Sequence, residues 1–156
     1  MPEPTTGTET EPTTSTEADL TTGTETMRAF FPTSPFISTL GVRIVDLGEG
    51  TAHLRLPFRD ANTTVGPMVH GGAIGACVDL GIMAAAWAGD GPVPEQLRGV
   101  TVSMSVNFIA PAMNDDIDIV ATRLRRGRRL SHCAVEIRTR TDDQLVATGA
   151  GVYQVG

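Results

Sequence analysis

The sequence predicts an α+β fold in which an antiparallel sheet covers one central helix. Three observations predict it. The stretch from His70 to Ala88 is small or apolar on nearly every face, which marks a buried helix. The flanking segments alternate apolar and polar residues with the period of half-buried strands. The order along the chain is two strands, one helix, four strands.

Each element has its own signal. Residues 1–26 are Thr, Glu, Pro and Gly with almost nothing apolar, so they are expected to form a disordered tail. Residues 27–156 then form a single domain. Met27, Phe30, Phe31 and Phe36 open it, with prolines limiting any helix there to a short one. Val42 to Leu47 reads as a strand ending at the turn Gly48-Glu49-Gly50. Thr51 to Phe58 is its partner, with Ala52, Leu54 and Leu56 on one face and Thr51, His53 and Arg55 on the other. A polar loop from Arg59 to Pro67 leads into the helix, and a Gly/Pro-rich loop from Gly89 to Gly99 leaves it. Val100, Val102, Met104, Val106 and Phe108 alternate with Thr101, Ser103, Ser105 and Asn107 in a strand that ends at Pro111. Ile117 to Arg125, Leu130 to Arg140 and Gln144 to Val155 complete the sheet, joined at Arg126-Gly127-Arg128 and Asp142-Asp143.

Composition narrows the function. The 156 residues give room for one domain with a real core. A net charge of −6 argues against nucleic acid as a partner. No basic start and apolar run marks a secretory signal, and the helix is too interrupted for a membrane span. The cytoplasm is the expected location. Cys77 and Cys133 make neither a disulfide framework nor a metal spacing, and His132 has no partner set for a metal, so no metal is expected. His53 is expected to face solvent, and Met83 and Met104 to sit in the core.

Asp79 stands out. An unpaired carboxylate in an apolar helix costs several kcal/mol, so it needs a partner, a shifted pKa or a task. The same helix opens on Gly71-Gly72, where free N–H groups attract negative charge. Asp79 lies seven residues after Gly72, roughly 10 Å along the axis, whereas reacting atoms must approach within about 3–3.5 Å. Two antiparallel copies would bring each acid to the other's glycines. The expected assembly is therefore at least a two-fold dimer with two composite sites. An amide that holds an oxyanion, opposite a carboxylate, suits acyl transfer from a thiol leaving group. His70 either orients the loop before the helix or touches the substrate carbonyl, and the first role is favoured.

His70-Gly71-Gly72 followed by Asp79 resembles the His-Gly-Gly…Asp signature of hotdog-fold thioesterases of the phenylacetate-pathway and 4-hydroxybenzoyl-CoA type. The similarity runs from about Phe36 to Tyr153. The strand Val102 to Pro111, the hairpin Leu124 to Leu130 and the segment Leu145 to Gly149 echo it. The resemblance implies a curved antiparallel sheet around a central helix, a homodimer that often forms a homotetramer, and hydrolysis of an acyl-CoA thioester. No separate cofactor is implied, since coenzyme A belongs to the substrate. By position Asp79 is the nucleophile or general base. Gly71, then Gly72, supplies the polarising N–H, and Thr101 is a hydroxyl that positions the attacking water. Relatives carry a polar Asn or Gln six residues before the His. Here Thr64 has that spacing, and Asn62 takes the role only in a longer loop. Dehydratases of this fold use an Asp…His pair of another spacing, which is absent.

Arg123, Arg125, Arg126, Arg128 and Arg129 surround one hairpin turn of an acidic chain. Arg126, Arg128 and Arg129 are candidates for the coenzyme A phosphates. A solvated turn, or ion pairs to Asp115, Asp116 and Asp118, is the competing reading. A non-catalytic acyl-CoA-binding or regulatory protein is the alternative to an enzyme. Gly75, Ala76, Ala84 and Ala85 leave space beside the helix, but the acyl group is not legible.

Overall fold

The structure, a computed structural model, describes residues 22–94 and 97–156. Most of the expected tail lies outside the described residues. Its last part does not behave as a tail, because Gly23–Phe30 forms a helix, α1. The reason is local. Thr22 and Glu25 form a reciprocal capping box, satisfying two amides that the helix start would leave bare. Met27 on this helix is buried in the core. A 3₁₀ turn, Phe31–Thr33, and a short helix α2, Pro35–Leu40, follow, and Gly41 ends α2 at φ 87°.

The remaining elements are β1 (Arg43–Gly48), β2 (Thr51–Leu56), α3 (Gly71–Trp87), β3 (Gly99–Phe108), β4 (Ile117–Arg126), β5 (Leu130–Thr139) and β6 (Leu145–Val155). The strands make one antiparallel sheet in the order β1-β2-β4-β5-β6-β3. Two strands, a long helix and four strands appear in the predicted order. The sheet buries Leu54, Leu56, Ile117, Ile119, Val135, Ile137 and Val146 around α3. Burial of such side chains stabilises by about 1.5–3 kcal/mol each. Gly149 and Gly151 let α3 approach β6. A Cβ at Gly149 would collide with Val78, and one at Gly151 would lie 2.5 Å from Ile82.

Two expectations about burial need correction. The helix is not covered on every face. Gly72 is exposed, and Gly75, Ala76, Asp79 and Met83 are only half-buried, so one stripe of α3 stays open. The open stripe runs beside β3, one of the sheet's two outer strands. Along β3, Val100, Val102, Met104 and Phe108 are all at least 45% exposed, so Met104 is not a core residue of the single chain. An uncovered apolar edge strand is a pairing surface. No described helix is long and apolar enough to cross a membrane.

Candidate active site

The helix start is built by His70. Its ring Nδ1 accepts a hydrogen bond from Gly72 N–H at 2.7 Å, the role of an N-cap side chain. His70 C=O accepts from Ala73 and Ile74 N–H. Of the four amides a helix start leaves bare, those of Gly72 and Ala73 are thus paired, and His70 N–H donates to the Asn62 backbone C=O at 2.8 Å. The fourth, Gly71 N–H, has no acceptor among the described residues. Of the two glycines, the structure therefore commits Gly72 to the cap and leaves Gly71 available.

Asn62 is buried, its side-chain amide donating to Leu40 C=O at 2.8 Å and its backbone carbonyl accepting from His70 N–H. It ties the loop and α2 to the helix start, away from the open stripe. Thr64 is exposed and lines a cavity of about 310 Å³ with Met68, Val69, Gly71, Ile74 and Phe108.

Asp79 points to the open stripe and has a partner. Thr101 Oγ1–H donates to its Oδ1 at 2.5 Å. Strict alternation along β3 would turn Thr101 away from Met104 and Phe108. A bulge between Thr101 and Ser103 cancels the alternation. Thr101 pairs with Tyr153, Met104 with Gly151 and Val106 with Gly149, so all three share the helix-facing side. Tyr153 is 6% exposed, and its Oη accepts from Trp87 Nε1–H at 3.3 Å. Burial raises the phenol's pKa above its usual 10, the Trp87 bond opposes this, and the charge on Asp79 adds to the rise. The sequence reading missed Tyr153. Its signal was available: it follows Ala147, Gly149 and Gly151 on the inward face of the last strand.

The arginine hairpin divides in two. Arg123 is structural, its guanidinium donating to Ala86 and Ala88 C=O at the end of α3, both at 3.1 Å, and to Glu49 in the turn between β1 and β2. It is not available to a phosphate. Arg126, Arg128 and Arg129 are exposed and make no side-chain hydrogen bond or ion pair among the described residues. The competing ion pairs are not formed, because Asp115, Asp116 and Asp118 lie at the opposite end of β4. Asp118 instead binds Arg55 at 2.7 and 3.0 Å, and His53 Nε2 sits 3.1 Å from it, so His53 is half-buried rather than free in solvent. Burial pushes the Asp118 carboxyl up, but Arg55 and His53 outweigh it and hold it below its ordinary value.

No group of three metal-ligating side chains occurs among the described residues. Burial pushes the Cys77 thiol up to about 12 and, with slight relief from Arg123, the Cys133 thiol up to about 11, so neither is a nucleophile at neutral pH.

Known proteins are similar to this chain in sequence and fold. Human acyl-coenzyme A thioesterase 13 is 25% identical over 134 residues, covering 85% of this chain and 93% of its own. A thioesterase family protein from Silicibacter pomeroyi superposes with a TM-score of 0.77 at 25% identity, covering 85% of this chain and 97% of its own. The conserved protein PA5202 from Pseudomonas aeruginosa gives 0.70 at 29%, covering 79% and 94%. The sheet and central helix are those of the hotdog fold. The family model described as "Acyl-CoA thioesterase N-terminal domain" matches residues 58–154, and the chain belongs to that family.

Proposed function

We propose that this protein hydrolyses an acyl-CoA thioester at a site shared by two protomers, the layout of the phenylacetate-pathway and 4-hydroxybenzoyl-CoA type. One observation carries the reading. The Asp79–Thr101 pair lies on the open stripe of α3, beside a bare strand edge and on the helix whose Gly71 N–H is unclaimed. The rise along α3 separates acid and amide of one chain by roughly 10 Å. A second copy pairing along β3 supplies the missing partner to each.

In this reading Gly71 N–H of one protomer polarises the thioester carbonyl. Asp79 of the other takes a proton from water as the water oxygen bonds to the carbonyl carbon. Thr101 occupies Oδ1 and leaves Oδ2, which has no partner among the described residues, to face that water. The carbonyl electrons move onto oxygen, where the amide holds them. They return as the C–S bond breaks, and the departing thiolate takes up the proton. Arg126, Arg128 and Arg129 provide exposed cations for the coenzyme A phosphates, and of these Arg126 also faces the charge of Glu49.

The test is thiol release from an acyl-CoA panel by wild type and Asp79→Asn. Loss of a general base lowers the rate by roughly 10²–10⁴-fold. Full activity in Asp79→Asn removes the mechanism. Binding without turnover of any ester by the wild type makes the protein an acyl-CoA-binding module instead.

A further inference from the structure

A cavity of about 280 Å³ opens at the β1 edge of the sheet, the edge opposite β3. Phe31, Pro32, Ile37, Val42 and Ile44 line it, and Arg28, Ser38 and Arg43 complete its wall. We infer that it is a second binding site, at the opposite sheet edge from the Asp79–Thr101 pair, and that its ligand is a small amphipathic carboxylate such as a medium-chain alkanoate. The apolar body fills the cavity and the carboxylate meets the two guanidiniums.

The chain makes this hollow by interrupting its own helix. Pro32 and Pro35 stand at the starts of the 3₁₀ turn and of α2, where each breaks the helix before it. Gly41 then turns the chain into β1. The segment bends around a space instead of packing as one rod. Phe31, Ile37 and Val42 are buried in the core and Ile44 is half-buried, so the fold fixes the floor. The rim is charged. Arg28 lies in the last turn of α1 and Arg43 opens β1. Arg43 is exposed and makes no side-chain hydrogen bond or ion pair among the described residues. Arg28 sits 3.8 Å from Asp46, but these side chains are 51% and 78% exposed, so that pair holds the arginine only weakly. Among the described residues no acidic side chain lines the cavity. Two cations over an apolar floor, on a chain of net charge −6, match a ligand with one carboxylate and an apolar body.

Volume sets the size of that body. At about 30 Å³ per non-hydrogen atom, the share of a water in the liquid, the cavity holds roughly nine. An alkanoate of about eight carbons fills it with the carboxylate at the rim, whereas a diacyl lipid does not fit. Phe36 on α2 and Val45 on β1, 59% and 42% exposed, extend the apolar surface on the same two elements. A free acid is also what thioester hydrolysis releases. That link rests on the proposed function, but binding at this site requires no turnover.

Amide-resolved NMR of the full chain, titrated with octanoate, octanol and acetate, tests the assignment. Octanoate should shift the amides of Ser38, Arg43 and Ile44, with affinity read from Ile44, whether or not it also shifts Gly71. Octanol and acetate each lack one half of the ligand and should bind there at least fivefold more weakly. Arg43→Gln should weaken octanoate about fivefold, with a larger effect at low salt than at high. Ser38→Trp, which fills the hollow from the exposed side of α2, should abolish the octanoate shifts at Arg43 and Ile44 and leave thioester hydrolysis unchanged. Should Ser38→Trp fail to fold, Arg43→Gln, altered only at an exposed side chain, carries the test. Octanoate shifts confined to Gly71 and its neighbours overturn the assignment. So does octanol binding as tightly as octanoate at Ile44, or an unchanged octanoate affinity in Arg43→Gln. Octanoate bound at the β1 edge of a protein that hydrolyses no thioester defeats the proposed function and leaves this site standing.

Discussion

Thr101 Oγ1 lies 2.5 Å from Asp79 Oδ1, and a single extra residue in β3 puts it there. The bulge reverses the side on which Thr101 emerges. It makes a hydroxyl from the sheet's edge strand the partner of the carboxylate on the central helix. A hydrogen bond to a charged group is worth about 1.5–3 kcal/mol. Replacing Thr101 with Val keeps the shape and removes the donor. The expected result is a loss in kcat of roughly 10–100-fold, with Ser restoring most of it. Wild-type turnover by Thr101→Val would remove this hydroxyl from the site.

The bare edge of β3 carries the second prediction. Met104 shares the helix-facing side with Thr101 and is 45% exposed. An arginine there opposes close packing of a second copy, because burying its charge unpaired is unfavourable. Sedimentation of Met104→Arg should give half the wild-type mass with unchanged circular dichroism, and thioester hydrolysis should fall more than a hundredfold. A monomeric variant with full activity contradicts a shared site.

Arg126 and Arg128 point to the third. They are exposed and, unlike Arg123, make no side-chain hydrogen bond among the described residues. Changing both to Ala should raise KM for acyl-CoA several-fold, more at low salt than at high, while sparing thioesters of small thiols. Equal losses on both kinds of substrate would count against a phosphate role.

Tyr153 gives the fourth. It is the one tyrosine in the sequence, so phenolate absorbance reports it alone. Its pKa is raised in the fold by burial, against the Trp87 bond, and by the charge on Asp79. Asp79→Asn removes that charge, so its absorbance titration should move to lower pH. The sign for stability follows. A pKa raised on folding favours the folded state below the unfolded value near 10, and this contribution is lost as pH rises through the folded value. Alkaline unfolding of the wild type should therefore be delayed in Tyr153→Phe. An identical tyrosine titration in Asp79→Asn would show that the two groups do not interact.

Much of this was legible in the sequence because burial leaves a periodic trace. The apolar run of α3 and the alternation in β2, β4 and β5 follow from which faces the core covers. Gly71-Gly72 and Asp79 were visible because glycine and aspartate are costly inside a helix without a reason. The bulge at Thr101 was not visible, since one inserted residue leaves composition and apparent alternation unchanged. The cap formed by His70 depends on a ring rotamer, and so did the choice between Gly71 and Gly72. The separation of Arg123 from its neighbours depends on where α3 ends in space, which no local pattern encodes. The capping box at Thr22 is readable in principle as Thr-x-x-Glu. The Thr- and Glu-rich composition around it masked that signal.

Subunit mixing tests the shared site most directly. Asp79→Asn removes the acid. Gly71→Pro removes the available N–H at the first helical position, where proline is tolerated and His70 already has the extended backbone proline requires. Each variant alone should be inactive. Mixed, unfolded and refolded in equal amounts, they should recover about a quarter of wild-type activity. Half the dimers are then hybrids, and each hybrid holds one intact acid facing one intact amide. No recovery in hybrids shown to form would contradict a site shared between protomers.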